Sequence, residues 1–138
     1  MDWKLELVVV PVSDIDRAKA FYMERAGFGL DVDHRAGEDF RVVQLTPPGS
    51  ACSIALMKNA AAGSAQGLHL IVRDIAEACD ELKRRGVDVT DVFHFDGATQ
   101  ITGPDPERRD YNSFITFSDP DGNGWLVQEV RRSSPANQ

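Results

Sequence analysis

Hydrophobic and polar positions follow the same order twice along this chain. The stretch "VPVSDIDRAKAFYMERAG", from Val10, and the stretch "LIVRDIAEACDELKRRG", from Leu70, each run from an apolar strand through Asp into an amphipathic helical pattern that ends at Gly. Four identities stand at a constant offset of sixty: Val12, Asp14, Ile15 and Ala18 match Val72, Asp74, Ile75 and Ala78. The chain is therefore predicted to contain two copies of one structural unit.

The first copy is predicted to hold one helix and four strands. Ser13 and Asp16 approximate a capping box at the start of the helix, and Gly27 and Gly29 are expected to end it. Alternation and short apolar runs predict strands at residues 4–12, 30–35, 40–46 and 52–57.

The second copy repeats this order and adds one segment. Its helix is expected to end at Gly86, with strands at residues 68–72, 87–95, 113–118 and 124–130. The addition is the polar stretch "DGATQITGPDPERRD", residues 96–110, with two prolines and two glycines. Its lack of apolar periodicity predicts a mobile loop that covers the site.

These patterns predict an α+β fold of two tandem βαβββ modules. The modules are expected at residues 1–59 and 68–131, with a linker at 60–67 and a frayed tail at 132–138, and together they form one domain. Each sheet is expected to pack one face on its own helix. The other faces of the two sheets are expected to curve around a shared cleft.

Composition narrows the class of partner. The 138 residues carry a net charge of -7, and 42% of them are hydrophobic, as in ordinary soluble domains. An acidic chain repels nucleic-acid phosphates and acidic membrane surfaces, so a neutral or cationic small molecule is the expected ligand.

Sequence features also bear on location and on thiol chemistry. The longest apolar run, Leu7 to Val12, is too short to span a bilayer, and the start lacks signal-peptide features, so the cytoplasm is the expected location. Cys52 and Cys79 have no nearby Cys or His partner, which favours small buried thiols over a zinc site or a disulfide.

The stretches "VVVPVSDIDRAKAFY" and "FSDPDGNGWLVQEV", with the order of elements, resemble the vicinal oxygen chelate superfamily. This superfamily includes glyoxalase I, the bleomycin-resistance proteins and extradiol dioxygenases. The resemblance spans nearly the whole chain and implies a small-molecule site and a homodimer. It does not specify the chemistry, because one scaffold supports many functions.

The resemblance also implies where a metal would bind. Metal-dependent members carry a ligand seven residues before the Asp of each strand–helix turn, and a Glu three residues after the Asn of "DPDGN". Those positions are Leu7, Gly67 and Leu126 here, and the matching place in the first copy falls at residues 53–55. None offers imidazole, carboxylate or thiolate, so no metal cofactor is expected unless the alignment of these positions is misjudged.

The same alignment assigns faces to the last strand. If Leu126 faces the cleft, Gln128 does too, because side chains alternate along a strand. Trp125 and Val127 then pack on the helix, and Glu129 is expected near the strand end, in solvent. The "DPDGN" stretch is interpreted as a tight turn rather than a metal loop.

Strand alternation also selects the candidate binding residues. In "GLHLIV", His69 and Ile71 face the cleft. An imidazole titrates near neutral pH, so His69 is a candidate base, metal ligand or hydrogen-bond donor, although a structural histidine in the pocket wall is the simpler interpretation. The full set of candidate binding residues is His69, Gln128, Leu126, Val9, Ile71, Arg108 and Tyr111.

Several further polar residues are ambiguous in the sequence. Arg108 and Tyr111 could clamp an anionic or aromatic ligand, or could belong to a solvated surface loop. His34 and His94 are expected at surface or edge positions. Arg41 and Gln44 lie on opposite faces of one strand, and either one could point into the cleft.

The leading functional hypothesis is a metal-independent small-molecule binding protein of the glyoxalase/bleomycin-resistance type, which would sequester its ligand. The alternative is a glyoxalase-like lyase or isomerase that uses His69 as a base or an unrecognised divalent metal site. A third class is a non-catalytic subunit that works with another protein.

Overall fold

The computed structural model describes residues 1–131, and the predicted tail at 132–138 lies outside them. The described chain divides into two compact units. Unit 1 contains residues 1–66 together with 118–123, and unit 2 contains residues 67–117 together with the stretch that begins at 124. Within residues 1–131, no helix has the length and apolar character needed to cross a bilayer.

Unit 1 contains a four-stranded sheet and one helix. The strands are β1 (Leu7–Val12), β2 (Gly29–Ala36), β3 (Phe40–Thr46) and β4 (Ser53–Lys58), in the spatial order β1-β4-β3-β2. β1 runs parallel to β4, and the other pairs are antiparallel. The helix α1 (Ile15–Ala20) continues as one π-helical turn, Phe21–Arg25.

The core of unit 1 lies between its sheet and its helix. Val10, Val43 and Leu56 are fully buried on the side of the sheet that α1 covers, where Ala18 and Tyr22 are buried as well. Burial of large apolar side chains contributes roughly 1.5–3 kcal/mol for each one, so this layer accounts for the position of the helix. The helix cap differs from the prediction, because Asp14, rather than Ser13, accepts the N–H of Arg17 at 3.0 Å.

Unit 2 contains a five-stranded sheet, one strand more than predicted. Its elements are β5 (Leu68–Val72), α2 (Ile75–Arg84), β6 (Phe93–Asp96), β7 (Thr99–Thr102), β8 (Phe114–Ser118) and β9 (Gly124–Glu129), and the strand order is β5-β9-β8-β6-β7. The extra strand, β7, forms a hairpin with β6 and comes from the segment expected to be an irregular loop. The strand expected at 87–95 begins only at Phe93, and Val89 makes a single bridge to Phe117.

Helix α2 begins at a well-formed cap. The Asp74 side chain accepts the N–H groups of Ala76 at 3.0 Å and Glu77 at 3.1 Å, which lowers the pKa of this carboxyl. The side chain of Cys79, in α2, is buried, and burial raises the pKa of its thiol, as expected for a structural cysteine. Cys52 is half-buried, and both thiols are free.

The turn at residues 118–123 is part of unit 1 and is held there by a dense set of hydrogen bonds. The amide of Asn123 donates to the Pro11 carbonyl at 2.8 Å, and the Ser13 hydroxyl donates to Asp121 at 2.5 Å. The buried Tyr22 hydroxyl donates to Asp119 at 2.8 Å. The "DPDGN" stretch is thus a turn whose carboxylates accept structural hydrogen bonds.

The backbone of Gly63 lies close to this turn. Its φ is +85°, and a Cβ at this position would lie 2.3 Å from the backbone oxygen of Asp121. Gly49 has a similar φ of +81°, but a Cβ there would meet nothing within 4 Å. Substituting each glycine by Ala therefore distinguishes two effects on stability. At Gly49 the substitution costs only the left-handed backbone conformation, whereas at Gly63 it adds a steric clash.

We predict that Gly63→Ala lowers the free energy of unfolding by about 3 kcal/mol or more, because the backbone must move to relieve the clash. Gly49→Ala is the control and is expected to cost about 1 kcal/mol, for the left-handed conformation alone. Urea unfolding of both variants measures the difference. Equal costs for the two substitutions would contradict a close approach at Gly63.

Candidate functional site

Side chains along β9 alternate between a buried face and a partly exposed one. Trp125, Val127 and Glu129 are buried, and the Glu129 carboxylate accepts the N–H of Ile75 at the start of α2. This set therefore faces α2. Leu126 and Gln128 point the opposite way, onto what we call the distal face of the second sheet.

The neighbouring strand β5 extends the distal face. His69 is the register partner of Leu126, and Ile71 is the partner of Gln128, so these four side chains lie on the same side of the sheet. Ile71 keeps 54% of its surface exposed, which is unusual for a large aliphatic residue in a strand. Four of the seven candidate binding residues are thus adjacent.

The His69 ring has one nitrogen engaged with the backbone. Its Nδ1 lies 2.5 Å from the carbonyl oxygen of Gly67. A carbonyl oxygen only accepts, so Nδ1 must carry the proton and donate it. In the neutral ring, Nε2 then has the free lone pair, and the exposed side chain presents it as a hydrogen-bond acceptor or a base.

An aromatic cluster also belongs to the distal face, and the sequence analysis missed it. Phe117 stacks on Trp125, so it lies on the α2 side of the sheet, and alternation places Phe114 on the distal face. Phe93 stacks on Phe114 with ring centroids 5.4 Å apart, and Phe95 meets Phe114 edge-on at 5.6 Å. Phe93 and Phe95 alternate in the strand "FHF", and this alternation is the sequence signal that could have predicted the cluster.

Glu129 is fully buried, with 0% exposure, so the expectation that it lies in solvent was wrong. Its carboxylate accepts the Ile75 N–H at 2.9 Å and two N–H groups of Arg108 at 3.0 and 2.8 Å, and it pairs with Arg131 at 3.2 Å. Burial by itself raises the pKa of Glu129. The hydrogen bonds and positive charges outweigh burial and hold that pKa below its usual value.

Arg108 lies on the opposite side of the sheet from Gln128. Its guanidinium binds Glu129 on the α2 side and comes within 3.7 Å of Asp74. This pairing raises the pKa of Arg108 and uses the donors that a ligand clamp would need. Tyr111 has a half-exposed side chain, and its N–H donates to the Glu129 carbonyl at 2.8 Å. The structure does not bring these two residues together with His69.

The inserted segment is anchored by a second buried carboxylate. Asp105 is completely buried and accepts N–H groups from Arg109 at 2.8 Å, Asn112 at 3.2 Å and the backbone of Glu107 at 3.0 Å. The Arg109 hydrogen bond contributes most to lowering the pKa of Asp105. Asp105 is the one buried residue of the segment at 96–110, so polar contacts of a single side chain anchor it, and its mobility stays a prediction.

Four other polar residues have clear positions. His94 is buried and its Nδ1 lies 2.7 Å from the Gly103 carbonyl oxygen, so the surface or edge expectation was wrong for this histidine. His34 is exposed on the edge strand β2, as expected. Arg41 binds Asp16 and Asp33 on the α1 side of the first sheet, which leaves Gln44 on the opposite face together with Val9.

Comparison with known proteins identifies the family. A model of the Glyoxalase/Bleomycin resistance protein/Dioxygenase superfamily matches residues 4–127. The chain belongs to this superfamily. Crystal structures of members show the same fold, including TnmS3, an antibiotic binding protein from Streptomyces sp. CB03234. TnmS3 is 33% identical, with a TM-score of 0.72 over 93% of this chain and 96% of its own.

Two further superfamily relatives extend the comparison. A glyoxalase/bleomycin resistance protein from Streptomyces sp. CB03234 is 34% identical, with a TM-score of 0.68 over 91% of this chain and 100% of its own. The uncharacterized protein YetH of Bacillus subtilis (strain 168) is 29% identical in an alignment 126 residues long that covers 88% of this chain and 94% of YetH. The named functions of these similar structures support small-molecule binding within the superfamily.

The positions at which the resemblance would place metal ligands carry no imidazole, carboxylate or thiolate here. Leu7 on β1 is the register partner of Ser53 on β4, and the Ser53 hydroxyl is committed to Thr46 at 2.6 Å. Gly67 and Leu126 offer no side-chain donor. Within residues 1–131, no group of three or more His, Cys, Asp or Glu side chains could hold a metal ion. A divalent metal does not fit these residues.

We predict that Glu129→Ala lowers the free energy of unfolding by about 2–3 kcal/mol, since it leaves Arg108 and the Ile75 N–H without their acceptor. Glu107→Ala is the matched control, because the Glu107 side chain is 75% exposed, and it should change stability by less than about 0.5 kcal/mol. Urea unfolding at neutral pH measures both. Similar effects from the two substitutions would contradict the buried carboxylate.

The effect of Glu129 should also depend on pH in a defined direction. Its folded-state pKa lies below the ordinary value of 4.5, so its stabilising effect is complete above that value and disappears as pH falls through the folded-state pKa. The stability difference between the wild type and Glu129→Gln should therefore be constant near neutrality and shrink in acid. A difference that grows on acidification would show that the sign is wrong.

Proposed function

We propose that this protein binds a small apolar or aromatic molecule on the distal face of its second sheet, without a metal ion, and acts by sequestering it. The observation that carries the proposal is the set of side chains at the superfamily's metal-ligand positions. Leu7, Gly67 and Leu126 provide no imidazole, carboxylate or thiolate. A member with these residues retains the scaffold but lacks the means to activate a substrate through a metal.

The chemistry of the distal face supports a ligand with both apolar and polar groups. Ile71, Leu126 and the rings around Phe114 offer apolar contact, and two polar side chains, His69 and Gln128, stand among them. Small-molecule sites have this composition, in which apolar area supplies affinity and a few polar groups fix orientation. The net charge of -7 favours a neutral or cationic ligand.

The similarity to TnmS3 and to a glyoxalase/bleomycin resistance protein supports the same function. The first is described as an antibiotic binding protein, and this chain covers nearly all of it at 33% identity. Arg108 does not belong to this proposed site, because its guanidinium binds Glu129 on the α2 side of the sheet.

A second candidate function is a lyase or isomerase reaction with His69 as the base. The observation that favours it is the hydrogen bond from Nδ1 to the Gly67 carbonyl, which leaves the Nε2 lone pair directed away from the backbone. Binding and base catalysis would use the same face, so turnover must be tested separately from affinity. Conversion of a bound compound, abolished in His69→Gln while binding persists, would establish the enzyme.

We predict that the purified protein contains much less than one divalent metal ion per chain. The reason is the absence of donor side chains at residues 7, 67 and 126. Elemental analysis after dialysis without chelator is the measurement. One tightly held metal per chain would overturn the metal-independent proposal and favour the enzyme.

We predict that His69→Ala weakens ligand binding by about 1–3 kcal/mol, the cost of losing a hydrogen bond that the bound ligand covers from water. His34→Ala is the matched control, because His34 is an exposed histidine on β2 of the first sheet. A thermal-shift screen of aromatic and cationic compounds supplies the ligand, and calorimetry measures affinity. Equal affinities of the two variants would remove His69 from the site.

The same assay separates the two faces of β9. Gln128→Ala should weaken binding of the ligand, whereas folded Glu129→Gln should bind it as the wild type does. A loss of binding confined to Glu129→Gln would place the ligand on the α2 side and contradict the distal face as the site.

A further inference from the structure

Two aspartates of β2, Asp31 and Asp33, have opposite surroundings. The Asp33 carboxylate lies on the α1 side of the first sheet, where it accepts N–H groups of Arg41 at 2.9 Å and of Lys19 at 2.8 Å. The Asp31 carboxylate accepts a hydrogen bond from the Thr46 hydroxyl, and no Lys or Arg within residues 1–131 pairs with it. Asp31 is therefore a carboxylate that lacks a cationic partner.

An irregularity in β2 explains the position of Asp31. The register of β2 against β3 shifts between Leu30 and Val32, so Asp31 is an extra residue with no partner on β3. An extra residue of this kind re-aims its side chain. Gly29 is the register partner of Thr46 and carries no side chain, so the place across from the Thr46 hydroxyl is open to the Asp31 carboxylate.

A chain of two hydroxyl groups orients the Asp31 carboxylate. The Thr46 hydroxyl donates to one oxygen of Asp31, and its own oxygen lies 2.6 Å from the hydroxyl oxygen of Ser53. A hydroxyl has one proton, so Ser53 must be the donor to Thr46. The second carboxylate oxygen of Asp31 remains available as an acceptor. Because the hydroxyl chain holds the carboxylate in place, a ligand that binds it meets a smaller ordering cost.

Exposed apolar side chains lie on the same face as this carboxylate. Gln44 and Val9 are on the face opposite α1, and Val32 shares that face as the register partner of Gln44. Thr46 follows Gln44 by two residues, so Thr46 and the Asp31 carboxylate bound to it lie there too. Val9 is 44% exposed and Val32 is 42% exposed. This face therefore combines an unpaired negative charge with apolar surface that no other part of unit 1 covers.

We propose that Asp31 is the counter-ion for the protonated amine of a small organic cation that binds this face of the first sheet. The available carboxylate oxygen accepts an amine N–H in a charge-assisted hydrogen bond, and Val32 and Val9 contact the hydrocarbon part of the ligand. A hydrated inorganic cation makes no use of the two valines, and an anion is repelled by the carboxylate. The site lies in unit 1 and is tested separately from the binding face of the second sheet.

Benzylamine, which is protonated at neutral pH, is the probe, and benzyl alcohol is its neutral analogue. An NMR titration of the full chain at low salt should show benzylamine binding about fivefold more tightly than the alcohol, with shifts at residues 31, 32 and 46. Asp31→Asn should bring this ratio to about one, although Asn keeps an oxygen for the Thr46 hydroxyl. Glu38→Gln is the charge-matched control, because Glu38 is exposed in the turn between β2 and β3, and it should keep the wild-type ratio.

A second pair of variants tests the hydroxyl chain. Thr46→Ser retains the hydroxyl and should keep the fivefold preference, whereas Thr46→Val removes it and should lower the preference to about twofold. Circular dichroism checks that each variant is folded. The proposal is overturned if the shifts at about 20 mM benzylamine are confined to the second sheet or absent, or if Asp31→Asn keeps the wild-type preference. Shifts on the second sheet bear on the function proposed above, and shifts at residues 31, 32 and 46 bear on this site, so the two proposals can fail independently.

Discussion

The carboxylate of Glu129 receives hydrogen bonds from parts of unit 2 that are far apart in the sequence. The N–H of Ile75 comes from the first residue of α2, the guanidinium of Arg108 comes from the inserted segment, and Glu129 itself lies at the end of β9. A buried carboxylate without these donors would cost several kcal/mol, so its ionised form requires all three elements to be in place. The position of the insert relative to the helix therefore depends on this side chain.

The internal repeat shows what is specific to the second copy. Val72 pairs with Glu129, and the corresponding Val12 pairs with Lys58, which is exposed. The first copy has no insert and no buried acid at this position. Instead, Asp121 accepts the Ser13 backbone N–H and hydroxyl next to α1. Both helices thus begin beside a carboxylate, as the partial positive charge of a helix N-terminus favours, but the two carboxylates come from different positions.

Local sequence signals predicted most of the fold but missed one edge strand and misplaced one buried carboxylate. The strands at 40–46 and 68–72 were predicted at their observed bounds, because alternating and β-branched residues define them without help from the rest of the chain. β7, with the sequence "TQIT", was missed because it lies on the sheet edge with polar neighbours. Glu129 was misplaced because its partners, Ile75 and Arg108, stand 54 and 21 residues away.

Strand alternation predicted that four side chains lie on one face of the second sheet, once the resemblance indicated which face is opposite the helix. They are His69, Ile71, Leu126 and Gln128. Alternation also places these four side chains on the opposite face from Trp125, Val127 and Glu129. Those three residues are buried and hold the fold together. Substitutions on one set therefore leave the other nearly undisturbed, so ligand preference can diverge between homologues while the scaffold persists. A one-residue deletion in β9 would exchange the two sets. We therefore expect evolution to change this strand by replacement and to leave its length alone.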